Sequence, residues 1–361
     1  MKAFSEDEIW ILVKRNINGS DTRYIEYFSP FKVDAQEDAH HVDAGTFYDG
    51  LTDDITDISA ETVQDITGIT NADPAVVTCV DHGYSNADTI RLGDCDMEEL
   101  NGREFTVANK ADDTFELSGE DSTNHNDGDP GTEGKVVKTP NITVTMTTAL
   151  ATLIWANDDS VFFRDILGMT ELNGRRFVIE GVSGSDFDVD TLDTQDYTAY
   201  TEGGTAEKVV NEITGATELT GETVTILADG GVHAKKTVDG AGAFSLDQWA
   251  NKIHYGLGFE ATIKTMRIEA GKFMKKKRIP KVRLRFYETL GCEVGPDEDH
   301  LETISFRSGD DVYGTPPSLF TGDKEIAIPS TYSSENYIVV KHTDPTPFTL
   351  LAIGADVAIG G

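Results

Sequence analysis

Basic residues are scarce in this sequence. Thirty Lys and Arg stand against sixty-four Asp and Glu, a formal net charge of −34 over 361 residues. A reader of DNA sequence displaces counterions with clustered cations, so that class is disfavoured, and the negative field favours solubility. Cysteine is scarce too. Cys79, Cys95 and Cys292 form no CxxC pair and leave an odd count, which argues against a disulfide framework or a zinc site and suits a reducing cytosol. No apolar run of about 18 residues occurs, and Met1–Asp7 lacks a signal-peptide pattern, so neither a membrane-spanning helix nor a secretion leader is expected. Helical periodicity over 12 or so residues with a credible cap is missing. Catalytic motifs are missing as well: no HExxH, no GxSxG, no phosphate-cradling glycine loop. His40 and His41 are adjacent, and His82, His125, His233, His254, His300 and His342 are scattered. Neighbouring carboxylates are abundant, as chance alone gives in so acidic a chain, and they make a poor case for a glycosidase pair. No catalytic residue, cofactor or metal is expected.

What is present is strand signal. Short runs rich in Val, Ile, Thr, Phe and Tyr are cut by Gly, Asn and Asp. Glu8–Lys14 and Arg23–Phe28 flank Asn18-Gly19, whose residue types tolerate the positive φ of a tight turn, so a hairpin is predicted there. Further strands are predicted at 223–228, 252–257, 281–288, 302–307, 336–342 and 347–353. The fold class is all-β, multi-domain.

An internal repeat is the most informative feature. Met97–Phe105 (MEELNGREF) recurs as Met169–Phe177 (MTELNGRRF), an offset of 72 residues. Asp113–Leu117 is then echoed by Asp186–Val189. Each copy closes on Gly-Thr and Lys-Val-Val, at Gly131-Thr132 with Lys135–Val137 and at Gly204-Thr205 with Lys208–Val210. Two small barrels are expected, at 67–138 and 139–211, with Thr139-Pro140 between them. They would interrupt an antiparallel β framework made of residues 1–66 and 212–361.

Two charged stretches have candidate roles. Asp121–Gly131 offers Asp and Asn oxygens that suit Ca²⁺, but its spacing is not that of an EF-hand and it lacks the closing Glu, so an exposed hairpin tip is the better reading. Asp186, Asp188, Asp190 and Asp193 alternate as on a solvated strand face. The second stretch, from Lys264 to Arg285, concentrates a third of the cations. Within it Lys275, Lys276, Lys277, Arg278 and Lys281 are the candidate inter-subunit contact. In a ring of acidic copies a basic stripe can dock on the next protomer. A solvated strand edge guarded by Lys, or nucleic-acid binding, are the other readings.

The framework resembles podovirus-type tail nozzle (tail tubular) proteins of tailed phages. Glu8–Val13 with Asn18-Gly19 and Tyr24–Glu26, Leu219–Gly230, Lys275–Tyr287 and Leu319–Glu325 carry that resemblance, spread over the framework. Those proteins usually carry an amino-terminal propeller before the framework, whereas this sequence begins at the hairpin. The copies resemble the first catalytic cysteine half-domain of ubiquitin-activating enzymes through Leu-Asn-Gly-x-x-Phe and the Gly-Thr…Lys-Val close. That half-domain supplies no active cysteine, and Cys79 and Cys95 face Ala151 and Leu167 in the second copy, so no ubiquitin chemistry is implied. The resemblance implies a non-enzymatic virion subunit of the tail, assembled in the host cytoplasm as a homo-oligomeric ring, a hexamer by analogy. It would join other tail proteins (adaptor, fibres) and enclose an acidic channel through which DNA passes unbound during genome ejection. The alternative is a binding module that displays the barrels for host-surface or fibre attachment.

Overall fold

A computed structural model describes residues 9–28, 35–139, 142–190, 197–269, 275–309, 311–312 and 314–360. Asn18 and Gly19 take φ of 43° and 82° and turn strand Trp10–Ile17 back onto Ser20–Tyr27, the hairpin that the Asn-Gly pair predicts. The all-β expectation holds throughout. Among the described residues the α-helical content is one turn, Leu150–Leu153. Thr223–Ala228 and Lys252–Leu257 match their predicted bounds, while the strands expected at 336–342 and 347–353 form as Val339–His342 and Leu350–Ile359. The strand expected at 302–307 shrinks to Glu302–Thr303.

The chain divides into two units, residues 50–209 and residues 1–49 with 210–361. Unit 50–209 holds two nearly closed barrels, and they are nested rather than placed one after the other. The first closes on itself: Gln64–Ile66 pairs Gly134–Lys138, and Gly68–Ile69 pairs Val76–Thr78 and bridges to Gly131. Its core holds Ile66, Val77, Ile90, Leu92, Phe105, Phe115, Leu117 and Val136. The second barrel takes its closing strand from upstream of the first. Thr52–Ala60 pairs Ile142–Met146 on one side and Thr205–Ile213 on the other. Ile55 and Ile58 thereby join Val144, Phe163, Phe177, Phe187 and Ala206 in one core. The expected boundaries at 66/67 and 138/139 shift accordingly. One barrel is 64–138, and the other is 52–60 completed by 142–209.

In the other unit, a sheet of Gly231–Thr237, Thr223–Ala228, Lys252–Leu257 and Asp43–Asp49 packs over Ile213, Leu219, Val224, Phe244 and Tyr255. The hairpin is tied to this core near its turn. Ile17 is buried in it, Tyr24 Oη donates to the Glu218 carbonyl (2.7 Å), and Asn18 N–H donates to Glu222 Oε1 (2.6 Å). A second core of Ile279, Val282, Leu284, Phe286, Val294, Phe306 and Val340 lies under a three-stranded sheet. In that sheet Lys277–Thr289 runs between Phe320–Ala327 and Leu350–Ile359.

Candidate interaction surface

The repeat signature is first of all structural. In each copy a 3-10 turn (Glu98–Leu100, Thr170–Leu172) buries its leucine and leads into a glycine, Gly102 or Gly174, at φ 73°. The asparagine between them clamps one upstream residue by both main-chain groups. Cys95 N–H donates to Asn101 Oδ1 (2.7 Å) and Asn101 Nδ2 donates back to the Cys95 carbonyl (2.9 Å). Asn173 makes the same pair with Ile166, at 2.9 Å for both bonds. The arginine after the glycine lies over the following Phe ring, Arg103 on Phe105 at 4.8 Å and Arg175 on Phe177 at 4.9 Å. The leucine, asparagine, glycine, arginine and phenylalanine of the motif thus each have a folding role.

A third instance went unread in the sequence. Thr217–Leu219 forms the same 3-10 turn, buries Leu219 and leads to Gly221 at φ 84°, with Val224 buried where the copies have Phe. Its signal is Thr-Glu-Leu-x-Gly, shared with residues 170–174, but Thr220 replaces the clamping Asn and bonds the Thr217 carbonyl instead (2.9 Å).

The thiols are equally inert. Cys79, Cys95 and Cys292 are buried and unpaired, and burial pushes Cys79 and Cys95 up to about 11 and Cys292 to about 12. A thiol of that acidity holds almost no thiolate near neutrality. In the Asp121–Gly131 loop, the Asp121 carboxylate accepts from Thr123 N–H (3.0 Å) and Oγ1 (2.6 Å), a local turn bond. No group of three His, Cys, Asp or Glu side chains suited to a metal occurs among the described residues.

The basic stripe divides along its strand. Lys277 is fully buried and its Nζ bonds Glu269 Oε2 at 2.6 Å, and that bond holds the Glu269 carboxyl below its usual range. Lys277 is therefore withdrawn from the surface contact expected of it. The two-residue period of the strand turns Lys281, Arg283 and Arg285 outward together. Register sets Glu325 and Asp323 beside them: Lys281 and Arg283 reach Glu325 at 2.7 and 2.6 Å, and Arg285 reaches Asp323 at 2.7 Å. These bonds hold Glu325 and Asp323 below the ordinary carboxylate range. Each of these outward cations thus has an ion-pair partner within the chain. Lys276 and Arg278 are exposed and Lys275 is half-buried, and no carboxylate among the described residues lies within ion-pair reach of these three. Of the five candidate contact residues, Lys275, Lys276 and Arg278 are the ones left for a partner among the described residues.

A cluster of exposed apolar side chains lies elsewhere, on the hairpin. Opposed residues share a face, so Trp10, Leu12, Ile25 and Tyr27 stand together on the side away from Ile17. Their exposures run from 55% to 76%, with Ile9 and Phe28 alongside at 62% and 64%. Trp10 and Tyr27 touch, ring centres 5.2 Å apart, but among the described residues no further strand pairs with the hairpin. Strand propensity and the Asn-Gly turn reveal the hairpin; the exposure of its far end could not be read from the sequence.

Residues 139–210 match the Ubiquitin-activating enzyme E1 FCCH domain, the first catalytic cysteine half-domain. The match covers the second copy of the repeat and about a fifth of the chain. No curated protein matches the sequence.

Proposed function

We propose that the chain is a non-enzymatic, self-assembling structural subunit, and that its assembly is a ring in the tail of a tailed-phage virion. The observation that carries this reading is the exposed apolar face of Trp10, Leu12, Ile25 and Tyr27 on an otherwise strongly acidic chain. Monomeric soluble proteins rarely leave such patches open, and patches of this kind mark association sites. The all-β cores, the inert thiols and a repeat motif whose signature residues serve folding agree with a load-carrying rather than a catalytic part. The tail assignment draws on the resemblance of the framework segments to nozzle proteins. From it follow a sixfold ring, neighbours among the adaptor and fibre proteins, assembly in the host cytoplasm, and a carboxylate-lined channel along which DNA slides without binding.

A second reading has its own observation. Unit 50–209 has two cores of its own and enters and leaves the chain at one place, since Lys208 N–H donates to the Leu51 carbonyl (3.3 Å). Such a unit suits display, as a module for attachment to a host surface or a fibre. Native mass spectrometry of the purified full chain, with electron microscopy of the same sample, tests the first reading. A closed ring of defined copy number is expected, and a persistent monomer at high micromolar concentration overturns it.

A further inference from the structure

We infer that neighbouring copies join by strand addition, the hairpin of one copy pairing with strand Leu350–Ile359 of the next. The inference deepens the ring reading and rests on it. Leu350–Ile359 is the edge of its three-stranded sheet, with Lys277–Thr289 on one side and no described strand on the other. It reads LLAIGADVAI, ten residues with Asp356 as the lone charge, and Leu351 and Ile359 are 59% and 47% exposed. A long, apolar, open edge is a template for pairing that monomeric proteins normally blunt with charge, Pro or a cover. The hairpin supplies the complement. Its strands are eight residues each, both outer edges are open among the described residues, and its far end is apolar. Two strands alone are marginal in water, so a third strand from elsewhere would stabilise it.

Two further observations point to a second copy as the occupant. The first is area. Trp10, Leu12, Ile25 and Tyr27, on one face of the hairpin, together expose on the order of several hundred Å², a large part of one side of an ordinary protein–protein interface. The second is charge. Lys277 and Arg278 pair with Ile359 and Ala358, so Lys276 and Arg278, which have no ion pair among the described residues, sit at the carboxy-terminal end of the edge strand, where a second copy of net charge −34 offers them carboxylates. Antiparallel pairing of Trp10–Ile17 with Leu350–Ile359 can set Lys14 toward Asp356, cation to carboxylate. Because hairpin and edge are different patches, the contact is heterologous, the kind that closes rings.

Two variants of the full chain test this. A hairpin variant carries Trp10→Ser, Leu12→Ser and Ile25→Thr, and an edge variant carries Leu351→Lys and Ile359→Lys, all at exposed positions. Mass is measured by light scattering, and melting by circular dichroism confirms that each variant folds. The wild type is expected to assemble, each variant alone to run as a monomer, and an equimolar mixture to give a dimer and nothing larger. That complementation arises because each mixed pair retains a single intact junction. If the wild type assembles and either variant does so equally well, or the mixture stays monomeric, the hairpin–edge contact is overturned while the ring reading stands. A wild type that is itself monomeric overturns both and assigns the hairpin face to a different protein.

Discussion

Asn173 grips Ile166 by both main-chain groups, its Oδ1 accepting from the N–H and its Nδ2 donating to the carbonyl, each at 2.9 Å. Asn101 does the same to Cys95. The clamp fixes the chain just before the 3-10 turn whose leucine fills the barrel, so one side chain couples backbone path to core packing. Asn173→Ala leaves two partly buried backbone groups without partners, and each such loss costs about 1–3 kcal/mol. The expected result is a fall in the urea midpoint of unit 50–209 with an unchanged m-value. Asn173→Asp retains the acceptor but replaces the donor, and should lie between wild type and Ala. An Ala variant as stable as wild type would remove the clamp from the account of the repeat.

The nested barrels define where the insert can be cut. Deleting 67–211 would strip Thr52–Ala60 of both its partner strands and leave Ile55 and Ile58 bare. Excising 50–209 and joining Asp49 to Val210 through a short Gly-Ser linker removes whole cores instead, and should yield a folded, cooperatively melting remainder. The excised unit, expressed alone, should also fold. The two deletions separate the boundaries: the shorter one is expected to expose hydrophobic surface and bind a dye such as ANS, the longer one not.

Much of this architecture was legible in the sequence, and the gaps have physical causes. The Asn18-Gly19 hairpin is a local decision of two residues, and it read correctly. The closing strand Thr52–Ala60 did not, because its buried residues Ile55 and Ile58 are three apart instead of two. A register shift opposite, between Thr145 and Met146, lets Met146 face Ile55 while Val144 faces Ile58, and that bulge breaks the alternation. Its pairing partners also lie more than 80 residues away in sequence, beyond any local signal. The basic stripe read as one patch because linear density ignores which way a strand turns its side chains. Lys277 points inward to Glu269, and the acids that neutralise Lys281, Arg283 and Arg285 lie on a strand some 40 residues later.

His254 and His40 stack with ring centres 3.9 Å apart, beside Asp38, Lys252 and the Phe47 ring. Burial, and then the charge of His40, push His254 down to about 4 from an ordinary value of 6.5. A base whose folded-state pKa is depressed stabilises the fold fully above its unfolded value, and that stability is lost as pH falls from about 6.5 towards 4. Between pH 7.5 and 5 the loss from this one group is about 2 kcal/mol. Urea titrations of the wild type at the two pH values should show it, and His254→Gln should show much less. Equal pH slopes in the two proteins would mean that His254 is not the acid-sensitive group.

Lys277 tests whether its buried ammonium matters to the fold or only to the surface pattern. Lys277→Ala leaves Glu269, which stays in contact with water and with Arg267 (2.7 Å), so the loss should be about 1–3 kcal/mol, below that of a fully buried ion pair. Lys277→Met preserves the packing of the stem and should recover most of it. A Met variant as unstable as Ala would assign the stability to the ion pair itself.

Lys275, Lys276 and Arg278, which have no ion pair among the described residues, separate the remaining readings of the basic stretch. In an assembly of acidic copies they can pair across the junction, where exposed pairs contribute about 0–1 kcal/mol each. Replacing all three by Gln should therefore weaken self-association by roughly tenfold at low salt, with melting unchanged, and the difference should shrink as salt screens the charges. Replacing Lys281, Arg283 and Arg285 should behave differently. It breaks bonds within the chain and frees Glu325 and Asp323, so the outer face becomes acidic and repulsion between copies grows. If the first triple variant assembles like wild type at low salt but loses retention of DNA in a gel shift, the cations bind nucleic acid. If it changes neither, they are the solvated guard of a strand edge. The assay that responds decides between these outcomes, because an inter-subunit contact and DNA retention both weaken with salt, whereas a solvated guard leaves both unchanged.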